Sequence, residues 1–489
     1  MSVRSYGVAR RVVSGFTLVI FLVLVTGCAV GPDYTPPEIR TPKQWHSLPS
    51  GGPSARPEPQ VLARWWTVLD DPALTRLIEQ AVDRNLDLKK ARAHVREARA
   101  RRGVALGGLL PSLRATGSTK YTWSSPAGGT GLKPNTGDLE QNESYATGFD
   151  AAWEVDVFGG GRRTFEAARA DYEASQEALQ DVLVSLVAEV ALNYVELRTY
   201  QKRLGLAEEG LKVQSQLAEL VAWRNKAGLA GGLEVEKANY SLEATRARLP
   251  VLRANLKEVE NRLAVLVGEF PGALSETLGK PDPIPTAPLE VAVGVPAETL
   301  RRRPDVRQAE RKLAAQTARV GEATAEMYPK FSLTGTIGLE ALTVAGLFGP
   351  GSLAYSLAAG LAWNIFNGGA LRQNVEVQDA LQEQALADYQ AAVLGALEEV
   401  ENALTALALE QERLKSLEQA AGSSHKAFDL AYHQYQAGYS GFQEVLETQQ
   451  AWLNYQDQLA ESQGTLTSNL IRLYKALGGG WESTRPLEG

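Results

Sequence analysis

Few side chains in this sequence could do covalent or metal chemistry, and their spacing excludes most of it. Cys28 is the single cysteine among 489 residues, so neither an intrachain disulfide nor a thiolate metal cluster is available. The four histidines, His46, His94, His425 and His433, fall in no HExxH or comparable ligand spacing. Two glycine-rich runs, FGGGRR from Phe158 and FNGGALR from Phe366, lack the Lys-Ser/Thr of a phosphate-binding loop and read as structural turns. No nucleophile–base pair or cofactor motif stands out. The expectation is a protein that is not an enzyme and holds no metal.

What distinguishes Cys28 is its place. Arg4, Arg10 and Arg11 form a basic start, an apolar run follows from Phe16 to Val25, and Val25-Thr26-Gly27-Cys28 closes it. The run is too short for a comfortable membrane helix and reads as a secretory signal over residues 1–27. VTGC resembles the lipobox of bacterial lipoproteins, which implies that Cys28 becomes a lipidated N-terminus. Ala29 follows, where aspartate commonly retains lipoproteins at the inner membrane, so the expected destination is the outer membrane. That covalent lipid is the only cofactor expected, and each buried methylene adds ~0.8 kcal/mol of anchoring. Hydrophobic residues make up 44% and charged residues 22%, a folded rather than disordered balance. A net charge of -7, with no basic stripe, argues against a nucleic-acid partner.

Other candidate residues take their meaning from a repeat. NLDLKKARAHVREARARRG…LLPSLRATGS from Asn85 parallels RPDVRQAERKLAAQTARVG…MYPKFSLTGT from Arg303, and AGLAGGLEV from Ala227 parallels AGYSGFQEV from Ala437. The chain therefore divides into a lipidated extended segment 28–70, a first repeat 71–268, a linker 269–295, a second repeat 296–478 and a tail 479–489. Pro271, Pro281, Pro283, Pro285 and Pro288 mark the linker. No hydrophobic stretch after residue 28 reads as long enough for a transmembrane helix.

Within each repeat, two segments alternate apolar and polar residues, as strands with two different faces do. They are expected at about 112–123 and 145–158, then 331–340 and 352–366. Their length suits tilted strands crossing hydrocarbon, and Tyr121, Trp123, Tyr145 and Trp363 stand near their ends as interfacial girdles do. Asp150, Glu154 and Asp156 share the polar face and suit a water-filled lumen. Four strands cannot close a barrel, and an open edge in lipid is forbidden, so copies must assemble.

After each strand pair comes a long proline-free helix, about 161–226 and 369–437, or roughly 100 Å at 1.5 Å per residue. Leu183, Val190, Leu197, Leu204 and Leu211, and Val393, Val400, Leu407, Leu414 and Phe428, recur on a coiled-coil spacing. Gly228, Gly231 and Gly232 break the first helix, Gly438 and Gly441 the second, and return helices follow at 232–268 and 441–478.

This plan, with the segments CAVGPDYTPP, WWTVLDDPALTRLIEQAVDRNLDLKKARA, LRRRPDVRQAERKLAAQTARVGEATAEMYPKFSLTG, AGYSGFQEVLETQQ and LYKALGGGW, resembles the TolC-like outer-membrane factors. Within them it is most similar to the NodT-type lipoproteins that serve resistance-nodulation-division pumps. The resemblance implies a mixed α and β membrane protein with four transmembrane strands and long coiled-coil-like helices per chain. It also implies a homotrimer with a 12-strand β-barrel and a 12-helix periplasmic α-barrel. Implied partners are a periplasmic adaptor, an inner-membrane proton-driven transporter and outer-membrane lipid. Implied function is export of small molecules such as drugs; the alternatives are a duct for type I protein secretion and a lipid-anchored coiled-coil spacer. By the same resemblance, Glu447 falls where the family places the acid of its periplasmic gate. Gln443 and Gln450 stand where relatives often carry an apolar residue and an arginine, which implies a looser closure.

Overall fold

The computed structural model describes residues 29–38, 41–47, 59–124, 140–286 and 293–481. Cys28 and the leader lie outside the described residues, as do Pro288 and 482–489. The principal elements are α1 (Pro72–Arg84), α2 (Leu86–Gly108), β1 (Ser112–Ser124), β2 (Glu140–Val155), α3 (Gly160–Lys226), α4 (Gly232–Leu266), α5 (Pro304–Ala325), β3 (Lys330–Ala341), β4 (Leu353–Ala362), α6 (Ala370–Gln436) and α7 (Phe442–Ala476). Contacts divide the chain into two compact units. One comprises Met1–Pro37, Arg96–Ala174 and Glu310–Asp388; the other comprises Glu38–Val95, Ser175–Ala309 and Tyr389–Gly489.

The first unit holds one antiparallel sheet in the order β1-β2-β3-β4. Its register keeps like faces together: Arg114, Asp150, Thr336 and Ser356 form one row, and Ala115, Phe149, Ile337 and Tyr355 the next. Period-two alternation thus becomes two continuous faces. β2 ends at Val155, so Asp156 is not a strand residue, contrary to the sequence expectation. Its carboxylate accepts from the backbone N–H groups of Gly161 and Arg162, at 3.2 and 2.8 Å. The exposed N-terminal donors of α3 outcompete a place in the sheet. β4 likewise stops at Ala362, and the Trp363 indole turns back to donate to the Met327 carbonyl.

The second unit is helical. Val190, Leu197, Val393, Val400 and Leu407 of the seven-residue stripes are buried, as coiled-coil seam positions should be. α3 does contain an 18-residue stretch long and apolar enough by composition to cross a membrane, which corrects the sequence reading. More than half of that stretch is buried in the protein, so its apolarity serves packing. Asp71 caps α1 through the N–H groups of Ala73 and Leu74 and accepts the Tyr194 hydroxyl at 2.7 Å. Pro250 lies within α4 without ending it. Residues 45–47 are also docked: the His46 and Ser47 N–H groups donate to Glu401 at 2.7 and 3.0 Å.

A polar cleft in this unit is lined by Asp181, Ser185, Arg303, Asp305, Glu399 and Lys475. Buried Arg303 grips Asp305 through two bonds, at 3.0 and 2.7 Å, and pairs with Glu399. Burial, with Asp305 adding repulsion, pushes the Asp181 carboxyl above the usual range despite Lys475 and Arg303. A raised carboxyl pKa means the folded state holds the proton more tightly, so this group costs stability as pH rises through its folded pKa. That cost is absent below the unfolded value of ~3.9. Asp181→Asn should therefore raise the thermal midpoint near pH ~8 and leave it nearly unchanged near pH ~3. Thermal melts at the two pH values check this; an equal gain at both would exclude the carboxylate's charge as the cause.

Candidate functional site

Three features carry the functional reading, and each is built locally. The first is the sheet. Its apolar face carries Leu113, Phe149, Ile337, Leu353, Tyr355, Leu357 and Leu361, all exposed, with Tyr355 at 80%. Such a contiguous apolar surface facing water would be costly at ~25 cal/mol per Å². Aromatic side chains gather at both strand ends. Tyr121 stacks on Trp123 at 6.3 Å at one end, and Phe158 stacks on Tyr328 at 4.7 Å at the other. That is the distribution of interfacial girdles. The opposite face carries Asp150 and Glu154. Asp150 accepts from the Thr116 hydroxyl at 3.1 Å and stands in register with Arg114, and Glu154 pairs in register with Ser332. At Gly148 and Gly338 the strands meet so closely that a Cβ on Gly148 would lie 2.5 Å from the Ile337 carbonyl oxygen. Among the described residues, β1 and β4 each keep one edge without a strand partner.

The second feature is the junction where β2 gives way to α3. Gly159 turns the chain at φ +85 and is packed against Ala29, so a Cβ there would lie 2.6 Å from the Ala29 Cα. The Val30 N–H donates to the Phe158 carbonyl at 3.0 Å. The first described residue after Cys28 is therefore held beside the inner aromatic cluster. A cleft of about 410 Å³ also opens in this unit, lined in part by Glu154, Asp156, Glu322, Glu326 and Lys330.

The third feature is the helix tips. Gly228 and Gly438 take left-handed φ of +73 and +84. Each donates back to the long helix, and the next residue does so too: Leu229 to Arg224 and Tyr439 to Gln434. These are Schellman closures, which require a residue tolerant of positive φ. Gly231 and Gly441 are the N-caps of the return helices, and Gly232 is the first residue of α4. Phe442, Val445 and Leu446 of α7 are buried with Leu217, Val221, Phe428 and Tyr435. Gln443, Glu447 and Gln450, spaced i, i+4, i+7, therefore share the exposed face of α7.

Those three side chains have company that sequence reasoning missed. Gln443 donates to Glu447 at 2.6 Å, and Lys237 of α4 donates to Gln443, also at 2.6 Å. The signal was present: the alignment that pairs Gly228 with Gly438 also pairs Lys237 with Glu447. A cation and an anion thus occupy equivalent places in the two repeats, linked through an amide. Gln449, on the opposite face of α7, is fully buried, and neither of its amide atoms has a hydrogen-bond partner among the described residues.

The sequence profile of the family described as "Outer membrane efflux protein" matches residues 77–269 and 295–479. The chain is 31% identical to Nodulation protein T of Rhizobium leguminosarum bv. trifolii over 470 residues, covering 95% of this chain and 97% of that protein. It is 32% identical to the pyoverdine export outer membrane protein OpmQ of Pseudomonas aeruginosa, covering 96% and 97%. The fold superposes on the solved outer-membrane channel OprN with a TM-score of 0.87 at 35% identity, covering 93% of this chain and all of that one. The chain belongs to the outer membrane efflux protein family: it is an outer-membrane efflux channel protein.

Proposed function

We propose that three copies of the chain assemble into the exit duct of a tripartite pump that exports small molecules. A lipid on Cys28 anchors the duct, and a periplasmic adaptor joins it to an inner-membrane resistance-nodulation-division transporter. The observation that carries this reading is the four-stranded sheet, with one exposed apolar face, one polar face and two unpaired edges. In lipid each unpaired backbone group costs several kcal/mol, so the edges need partners from other copies. Three sheets make twelve strands, and the face with Asp150 and Glu154 turns inward to water. The cargo class follows the relatives: OpmQ is named for pyoverdine export. The anchor reading is supported by Ala29 packing on Gly159 beside Phe158 and Tyr328.

At the tips, the exposed stripe of Gln443, Glu447 and Gln450 serves as the periplasmic gate. Threefold symmetry brings three Glu447 carboxylates near one axis, where they repel one another and favour cations. Lys237 tempers this, since its ammonium reaches the same amide that binds Glu447. With glutamines rather than arginine beside the acid, closure rests on hydrogen bonds of ~1 kcal/mol each.

In detergent the protein should run at the mass of three chains and conduct ions in planar bilayers; a heat-stable folded monomer without conductance would sink the duct reading. Mass spectrometry of the mature N-terminus should find Cys28 acylated, and a free thiol there would refute the anchor. Glu447→Ala should lower cation selectivity and raise passage of bulky antibiotics, with trimer melting unchanged. Lys237→Ala should shift selectivity the opposite way. Single-channel recordings decide the pair, and unaltered conductance in both would place the stripe outside the bore.

A further inference from the structure

The N-terminal segment is not merely led past the first unit; it is gripped side chain by side chain. Arg163, in the first turn of α3, is almost fully buried. Its guanidinium donates to the Val30 carbonyl at 3.2 Å, the Gly31 carbonyl at 3.3 Å and the Asp33 carboxylate at 2.7 Å. A fourth bond, to Glu166 at 2.7 Å, fixes the side chain from its own helix. The planar fork of an arginine can serve that many acceptors in one plane; a lysine cannot.

Two glycines make room for this. Gly321 of α5 lies under the Arg163 side chain, and a Cβ there would stand 2.7 Å from Nε. Gly31 sits on Gly321 at φ +87, and a Cβ on Gly31 would overlap the Gly321 Cα. Further along, the Tyr34 ring packs on Ala170, Ala314 and Ala315, its hydroxyl donates to Glu310 at 3.1 Å, and Arg311 stands 5.5 Å from the ring centroid. Backbone, charge and ring are each recognised separately. A tether needed only for its lipid would show no such selectivity, because acyl chains partition into the bilayer whatever the path of the next six residues.

We propose that Arg163, with Gly321 and Gly159, forms a receptor for residues 29–34 that fixes where on the periplasmic rim of the sheet the N-terminal lipid is inserted. Arg163 is a positioning residue: it touches neither cargo nor lipid. Docking sets the anchor beside Phe158, at the base of β2 and the start of α3, so the lipid enters the bilayer against this wall of the channel. This rests on the anchor reading for Cys28, but the receptor itself is made of peptide contacts and stands without acylation.

The test compares four full-length proteins as assembled in membranes: the wild type, Arg163→Gln, Gly31→Ala, and a Cys28→Ser chain exported behind an ordinary cleavable signal so that it carries no lipid. Hydrogen exchange is read over residues 29–37 and, as a control, along α3, with intact mass reporting acylation. Arg163→Gln should speed exchange of the Val30 amide at least ~10-fold, the loss expected for a charge-assisted bond, with Cys28 still acylated and α3 protection kept. Gly31→Ala should do the same from the segment's side, where it cannot unfold a helix. The lipid-free Cys28→Ser chain should keep its protection. Unchanged protection in both Arg163→Gln and Gly31→Ala overturns the receptor, and so does protection lost on removing the lipid alone. A docked segment in a wild-type protein without the acyl mass would sink the anchor reading and leave the receptor standing.

Discussion

In hydrocarbon, every backbone N–H and C=O needs a partner inside the protein, and that requirement organises this chain. Four strands satisfy their inner edges by a register that runs without interruption from β1 to β4. Among the described residues the outer edges of β1 and β4 remain, so the sheet can enter lipid only as part of a barrel completed by other copies. Alternation then follows, since a wall between lipid and water must show each a different face. The glycines Gly148 and Gly338 fit the same demand, drawing the central strands together where a side chain would push them apart.

Duplication supplied the frame, and function shows where the two repeats stopped matching. At the start of α3, Gly159 packs on the N-terminal segment and Arg163 reaches into it. At the start of α6, Gly368 and Gly369 also take positive φ, yet among the described residues nothing lies within 4 Å of where their Cβ atoms would be. One turn became a docking place and its twin stayed a turn. At the tips the same divergence gives Lys237 in one repeat and Glu447 in the other, around nearly identical Schellman closures.

Periodicity made the elements legible and said little about the contacts between them. Strand β1 and the ends of both long helices could be read from alternation and from Gly228 and Gly438, because these are local rules of the backbone. Asp156 could not, since alternation continues past Val155 and only the helix beginning at Gly160 decides which way its carboxylate turns. Arg163 read as part of a glycine-rich turn because its partners lie some 130 residues earlier. The apolar stretch of α3 was legible in composition alone; what the sequence could not give was its burial, which separates a seam in a long bundle from a membrane span.

The adhesion of α3 to α7 is uneven along its length, and the unevenness has a direction. Away from the tip, Arg203 holds Asp457 through two bonds at 2.7 and 2.9 Å. Nearer the tip, a Cβ on Gly210 would lie 2.8 Å from Leu453, so the helices touch closely there. One turn closer still on each helix come Gln214 and Gln449, both buried, with the Gln214 amide nitrogen and both Gln449 amide atoms lacking a partner among the described residues. Each such group forfeits ~1–3 kcal/mol relative to a satisfied one. Beyond them the apolar cluster of Leu217, Val221, Phe442, Val445 and Leu446 restores cohesion. These amide atoms therefore add no side-chain hydrogen bond to the packing there, whereas the apolar cluster beyond them gains from burial. Rehydrating those amides recovers free energy that separating leucines would cost. The first turns of α7, which carry Gln443 and Glu447, lie on the tip side of these amides, and the Arg203–Asp457 ion pair lies on the other.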